Sequence, residues 1–280
     1  HAEQASPPAV AARIAALLAA IGAAAAPLLA EGFPPRCLSL LAWAFVKASV
    51  ATEQFLQAVG DAVLPKVQVC EPQQCSNLLW AFATARRRHP ALEAVAGRLA
   101  LGDGLLARAS EQDVAGALWA VALLRLRAPG LFERAALELK RRPEEFSSQG
   151  LVNSTWAFAT MKLTPPFLSE AMEHMLTGRR WQELDARGCA LMLWAVATSR
   201  ATESKEEAQR FFLTMAELFV LPQSDSFQAQ DVSNTLWAFA VSRVRHEAAF
   251  CALAARGVDT IGSFSPQALA NATWACAKLE

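Results

Sequence analysis

The chain has 280 residues, of which 54% are hydrophobic, so it is long enough and apolar enough to bury a substantial core. This composition excludes an intrinsically disordered chain, because disordered chains lack the apolar surface that folding must bury. Lys plus Arg and Asp plus Glu each number 26, and the resulting net charge of zero argues against indiscriminate binding to polyanions. A single basic face remains compatible with that balance.

The N-terminal stretch from Ala9 to Ala30 is apolar except for Arg13 and has the length of a membrane span. It consists mostly of Ala, which gains little on transfer into lipid, and its larger residues recur at helical spacing on one side. We therefore predict a helix that belongs to the fold, the second helix of a partial first repeat, and no membrane insertion.

Seven Trp-Ala pairs follow along the rest of the chain at a nearly constant spacing. The gaps between successive Trp residues are 37, 39, 37, 38, 43 and 37 residues. A constant period of this length is typical of chains that stack one supersecondary unit, and such chains usually bind extended partners along one face. The pairs begin at Trp43, Trp80, Trp119, Trp156, Trp194, Trp237 and Trp274.

We predict an all-α fold, an α-solenoid of roughly seven stacked helix-turn-helix repeats of about 38 residues with truncated ends. No alternating stretch of strand length occurs in the sequence. The predicted domain is a single array over residues 1–280, with repeats at approximately 1–32 (partial), 33–69, 70–108, 109–145, 146–183, 184–226, 227–263 and 264–280 (partial).

Each repeat is predicted to begin with a helix that carries the Trp (helix A) and to continue with a second amphipathic helix (helix B). Apolar residues ten and five before the Trp and two after it define the core face of helix A. Ser265 and Pro266 mark its start in the last repeat. Predicted helices B cover Ala91–Leu99, Leu131–Leu139, Phe167–Leu176 and Glu206–Phe219, with insertions at Ala201–Glu206 and Pro222–Ser226.

A polar stripe follows helix A in most repeats. Gln recurs seven residues before the Trp, Asn recurs three before it, Ala always stands one after it, and Thr or Lys often stands four after it. These spacings place the residues on one helical face, where amides suit base recognition because each offers a donor and an acceptor. The alternative is structural: Gln starts the helix, and Asn ties one repeat to the backbone of the next. The candidate residues are Gln73, Asn77, Thr84, Gln149, Asn153, Thr160, Thr198, Gln230, Asn234, Gln267, Asn271 and Lys278.

A basic column lies six residues after the Trp. Cations at one period are suited to contact a phosphate backbone, whereas the acidic residues cluster mostly on or near helix B. The alternative is that Lys and Arg simply complement the negative end of the helix dipole. The column comprises Arg86, Arg125, Lys162, Arg200 and Arg243.

The Trp residues themselves are predicted to be core residues that set the spacing of the stack, and base stacking is the alternative. Trp181 has no counterpart in other repeats, and either a stacking site or a loop anchor fits it.

No motif typical of an enzyme or a cofactor site occurs. The sequence has no P-loop, nucleophile elbow, dinucleotide fingerprint or HExxH, and its four His occupy no repeated position. The six Cys form no CxxC pair, so we interpret them as reduced and buried, with a zinc site as the alternative. We therefore expect a protein that is not an enzyme and that needs no metal or cofactor.

The segments FSPQALANATWA (264–275) and QDVSNTLWAFA (230–240) resemble helix A of octotricopeptide repeats. Heptatricopeptide and FAST-kinase-like repeat proteins are similar. The resemblance implies a paired-helix solenoid that binds single-stranded RNA in a mitochondrion or chloroplast and acts in transcript stability, processing or translation. It also implies other organellar RNA-processing proteins as partners. An armadillo-like scaffold for protein–protein interaction, with the Asn row holding an extended peptide, is the alternative.

Overall fold

A computed structural model describes residues 7–29, 32–177, 180–199 and 205–279. About 80% of the chain is helical, and the described residues contain no strand, which confirms the predicted all-α class. Arg200 and residues 201–204 of the predicted insertion lie outside the described residues.

The helices alternate along the chain between those that carry a Trp-Ala pair and those that do not. Helices α2, α4, α6, α8, α10, α13 and α15 carry the pairs. The helices are α1 (Pro7–Ala25), α2 (Pro35–Lys47), α3 (Glu53–Val63), α4 (Pro72–Thr84), α5 (Ala91–Ala100), α6 (Glu111–Leu124), α7 (Leu131–Arg141), α8 (Ser148–Thr160), α9 (Leu168–Thr177), α10 (Ala186–Ser199), α11 (Lys205–Met215), α12 (Leu221–Gln223), α13 (Ala229–Ser242), α14 (Glu247–Asp259) and α15 (Pro266–Leu279).

The chain divides into two compact units, residues 1–134 and 135–280. In the first unit α4 packs between α2 and α6, and α3 and α5 pack against the helices that precede them. In the second unit α10 packs between α8 and α13, α13 packs against α15, and α9 and α14 cover α8 and α13. In each unit the Trp-bearing helices are therefore neighbours, although a helix B separates them in sequence.

The predicted core face of helix A is buried. The residues five before the Trp, from Leu38 to Val232, are fully buried in every helix A except α15, where Leu269 is exposed. Aromatic residues two after the Trp join helix A to a helix B or to the residue just before it. The rings of Phe45 and Phe55 are stacked 4.5 Å apart, and those of Phe158 and Phe167, the residue before α9, meet edge to face at 5.2 Å. Contacts of this kind add specific geometry to the apolar area that they bury.

A short 3₁₀ turn precedes most helices A, a feature that the sequence pattern did not reveal. The turns end at Val69, Arg108, Glu145, Glu183, Ser226 and Ser263, each eleven residues before a Trp. Side-chain caps then open the helices. Ser147 Oγ accepts from the Gly150 amide at 3.0 Å, and Ser265 Oγ accepts from the Ala268 amide at 3.2 Å. The predicted start of the last helix A at Ser265 and Pro266 is thus confirmed.

The predicted N-terminal helix is present as α1, and no helix among the described residues is both long and apolar enough to cross a membrane. The prediction for the cysteines is confirmed only in part. Cys70, Cys75 and Cys189 are buried, but Cys251 is exposed. Its side chain lies on α14 about 200° around the helix from each of the buried residues Ala249 and Leu253, so it faces away from the core.

Candidate nucleic-acid interface

The Trp residues lie on the polar stripe of helix A and not in the core, so the prediction of buried Trp is wrong. Trp43 and Trp274 are 40% and 42% exposed, and the other five are half-buried. Helix geometry gives the reason. At about 100° per residue, positions −7, −3, 0 and +4 relative to the Trp fall within about 60° of one another. Position +1, where Ala was expected to line the stripe, lies about 100° from the Trp and about 40° beyond the Asn position, and it is buried in six of the seven helices.

Indole rings of neighbouring helices lie side by side along this face. The ring centroids of Trp43 and Trp80 are 6.4 Å apart in the first unit, with the planes tilted by 40°. Those of Trp194 and Trp237 are also 6.4 Å apart in the second unit, tilted by 31°. These separations are within the range of direct aromatic contact, so each pair presents a continuous apolar surface to solvent.

The amides of the stripe hydrogen-bond to each other within one helix. The side-chain N–H of Gln donates to the side-chain oxygen of the Asn four residues later, with a partly exposed Asn in each pair. The distances are 2.9 Å for Gln149 Nε2 to Asn153 Oδ1, 2.8 Å for Gln230 Nε2 to Asn234 Oδ1, and 2.9 Å for Gln267 Nε2 to Asn271 Oδ1.

This pairing argues against both structural roles considered for the amides. The helix starts are capped by other residues, and Asn Oδ1 accepts from its own helix instead of from a neighbouring backbone. Each pair fixes the two amide planes and leaves the Asn N–H₂ and the Gln carbonyl as a donor and an acceptor at the surface. Gln73 and Asn77 occupy the same positions on α4, where Gln73 is exposed and Asn77 half-buried.

The Thr residues four after the Trp do not all present a hydroxyl to the stripe. Thr84 is exposed. The hydroxyl oxygens of Thr160 and Thr198 are buried and, among the described residues, have no hydrogen-bond partner. In this conformation their hydroxyls are not available to a ligand, so two of the residues expected to read a target are poor candidates for that task. Lys278, at the same position on α15, is exposed.

The basic column occupies a left-handed backbone position at the end of helix A. In the described part of the chain, every non-glycine residue with positive φ lies six after a Trp, with φ between 50° and 59°. The following amide closes a Schellman motif: Arg87 N–H donates to the Phe82 carbonyl at 2.9 Å, and Arg86 N–H donates to the Ala83 carbonyl at 3.0 Å. The residues at this position are Ser49, Arg86, Arg125, Lys162 and Arg243.

None of the four cations at this position forms an ion pair with a carboxylate within the described residues, and all four are exposed. Neighbouring cations differ: Arg87 pairs with Glu53 at 3.2 Å, and Arg88 pairs with Glu93 at 3.8 Å. Both carboxylates belong to helices B, as the predicted charge segregation requires. The column thus keeps its charge uncompensated at short range, where an anionic ligand gains most from it.

A groove of about 650 Å³ in the second unit brings these features together. It lies between α13 and α15. Its walls include two Trp and three cationic residues, and none of the described residues that line it carries a carboxylate. The lining residues are Trp237, Ala240, Val241, Arg243, Arg245, Trp274 and Lys278.

A carboxyl group with a perturbed pKa lies behind this face. Burial raises the pKa of Asp231. Its carboxylate accepts a hydrogen bond from the backbone N–H of Gln228 at 3.1 Å and closes the capping box of α13. The role of Asp231 is therefore to hold the start of the helix. No group of three or more His, Cys, Asp or Glu side chains among the described residues is arranged to hold a metal ion. Trp181 lies half-buried in a 3₁₀ turn that packs against α8 and α9.

Comparison of the sequence with models of protein families and with curated proteins found no match. The chemistry of this face therefore has to be derived from its own residues: stacking surfaces, paired amides and uncompensated cations, which together suit a ligand that is both anionic and aromatic.

Proposed function

We propose that the chain is an α-solenoid of about 38-residue helix-turn-helix repeats that binds single-stranded RNA without catalysing a reaction on it. The observation that carries this proposal is the column of unpaired cations at left-handed positions beside the stripe of Trp and paired amides. Phosphates would contact the cations, and bases would meet the indole rings and the amide edges.

The backbone conformation of the column makes a purely structural origin for its charge unfavourable. Glycine or asparagine is the usual residue at the left-handed position of a Schellman motif. Another L-residue costs roughly 1–2 kcal/mol there, whereas a cation at an exposed helix C-terminus gains only about 0.3–1 kcal/mol from the dipole. The dipole therefore offsets the strain only in part. The dipole gives no sufficient reason for a cation here, whereas a contact with a phosphate does.

The resemblance to octotricopeptide repeats adds a cellular compartment and a cellular role to the proposal. On that basis the chain acts in a mitochondrion or chloroplast, in the stability, processing or translation of transcripts, together with other RNA-processing proteins of the organelle. The six cysteines, which form no disulfide among the described residues, are compatible with a reducing compartment.

A filter-binding assay with a random single-stranded RNA pool over a series of salt concentrations tests the proposal. We expect binding at low salt and an affinity that falls linearly with salt on logarithmic axes, because phosphate contacts release counterions. The double variant Arg86→Glu with Arg243→Glu should weaken binding to all sequences alike, since phosphate contacts carry no sequence information. An absence of affinity at low salt, or an affinity without a salt slope, would rule the proposal out.

The alternative is an armadillo-like scaffold that holds a peptide backbone through the Asn row. The internal Gln–Asn hydrogen bonds count against it, because they occupy the Asn oxygen that would accept from a peptide amide. The unpaired cations further restrict such a partner to an acidic peptide. Competition by a polyglutamate peptide in the same assay distinguishes the two functions.

A further inference from the structure

We propose that the groove between α13 and α15 holds one unpaired nucleobase between the rings of Trp237 and Trp274, with the flanking phosphates on Arg243, Arg245 and Lys278. This inference rests on the proposed function and names where, and by what chemistry, a single strand is held. The shared ligand is an unstacked nucleotide of a single strand, from RNA or from DNA.

The open volume beside its indole rings favours this groove over the Trp43–Trp80 and Trp194–Trp237 pairs. A base inserted between two rings needs a separation of about 6.8 Å, twice the stacking distance of about 3.4 Å. The pairs Trp43–Trp80 and Trp194–Trp237 are tilted and have centroids 6.4 Å apart, so their rings already contact each other and leave no slot for a base. Trp237 and Trp274 both line the open groove of about 650 Å³, a volume that is ample for a nucleobase and its sugar.

The charges around the groove fit a nucleotide better than an uncharged aromatic ligand. Three cations and, among the residues that the structure describes, no carboxylate line it, so these side chains attract a phosphate on either side of the base. Arg243 and Arg245 belong to the segment that follows α13, and Lys278 belongs to the last turn of α15. Cations from two neighbouring segments therefore border the same pair of rings.

The amide pairs lie on the same stripe as Trp237 and Trp274 and are not among the residues that line the groove. Gln230 and Asn234 lie on α13, and Gln267 and Asn271 lie on α15, with each Asn three residues before its Trp on the same helical face. Because Asn Oδ1 accepts from Gln, each Asn N–H₂ group remains a donor for an acceptor, such as a base carbonyl, on a nucleotide next to the inserted one. A duplex does not fit, since a base must leave its stack and its partner to enter.

The test measures dissociation constants by fluorescence anisotropy with a labelled ten-nucleotide oligouridine, the matching oligodeoxythymidine and an RNA duplex. The variants are Trp274→Leu and Trp274→Phe. The control is Leu269→Ala, because Leu269 and Trp274 lie on the same helix and are each 42% exposed, while Leu269 is not part of the groove lining. Circular dichroism confirms that each variant keeps its helix content.

We expect Trp274→Leu to weaken single-strand binding by about 5- to 100-fold, Trp274→Phe by less than about 5-fold, and Leu269→Ala not at all. Equal binding of oligouridine and oligodeoxythymidine would assign the site to the base and phosphate alone, and tighter binding of oligouridine would add a contact to the 2′-hydroxyl. If the parent binds RNA with a salt slope but Trp274→Leu binds as tightly as Leu269→Ala, this inference fails while the proposed function stands. If the duplex binds as well as the single strand, or if the parent binds no oligonucleotide, base insertion is overturned.

Discussion

The left-handed position at the end of helix A permits a test in which stability and RNA affinity should change in opposite directions. Replacing Arg86, Arg125, Lys162 and Arg243 by Gly removes four cations and four strained φ values at once. Each substitution relieves roughly 1–2 kcal/mol of left-handed strain. It also costs about 0.5–1 kcal/mol through the greater freedom of Gly in the unfolded chain, and a few tenths through loss of the dipole interaction.

The net expectation is a stabilisation of about 0.5 kcal/mol per site, or about 2 kcal/mol for the quadruple variant if the sites act independently. Urea denaturation followed by circular dichroism measures this as an increase in the midpoint. RNA binding should weaken, and the salt slope should fall by about 0.7 for each phosphate contact that is lost.

Two single variants separate backbone strain from charge. Ser49→Gly changes the same left-handed position without removing a cation, so it should stabilise the fold and leave RNA binding unchanged. Arg245→Gly removes a cation at ordinary φ, so it should weaken RNA binding without stabilising the fold. If the quadruple variant is stabilised but binds RNA as tightly as the parent, the column only terminates helices. If it is destabilised, the account of the strain is wrong.

Three further predictions concern the core, the amides and the buried carboxyl. Phe158→Ala should lower the unfolding free energy measured in urea titrations by about 3–5 kcal/mol, because Phe158 is 3% exposed. An equal loss for Trp274→Ala would contradict the placement of Trp on the surface. Asn234→Leu should change stability by less than about 0.5 kcal/mol but alter the sequences selected from a random RNA pool, with the salt slope unchanged. Burial raises the pKa of folded Asp231 above the ordinary 3.8, so ionisation of this carboxyl lowers the free energy of unfolding as the pH rises through the folded pKa. We therefore expect Asp231→Asn to be more stable than the parent at neutral pH. The difference should vanish below pH 3.8, where the carboxyl is protonated in both the folded and the unfolded chain. Urea midpoints at a series of pH values check this, and a difference that persists at low pH would assign the effect to capping geometry instead.

Much of the fold follows from periodicity in the sequence. The Trp-Ala spacing and the apolar columns predicted which segments form helix A, and the residues that reach the core do so because a helix returns to the same face every three to four residues. The helices B were predicted to within a few residues for the same reason, with proline at Pro90, Pro129 and Pro165 separating them from helix A.

The location of the Trp could not be predicted from residue type, because indole is as common in cores as at binding surfaces. The helical angle does predict this location, because the Trp position lies within about 60° of the exposed or half-buried Gln, Asn and Thr positions. The left-handed backbone conformation of Arg86 could not be predicted for a different reason. Left-handed C-terminal positions are predicted from Gly or Asn, and here the chain uses Arg and Lys.

The sequence by itself determined the period, the all-α class and the set of polar residues that share one face of each helix A, because these depend on local spacing along a single helix. Only the tertiary structure decided which of those residues act together. The groove between α13 and α15 joins Trp237 to Trp274, 37 residues later in the chain, and the cations around it come from the end of one helix A and the last turn of the next. Packing between helices sets these distances, so no pattern within one helix reveals them.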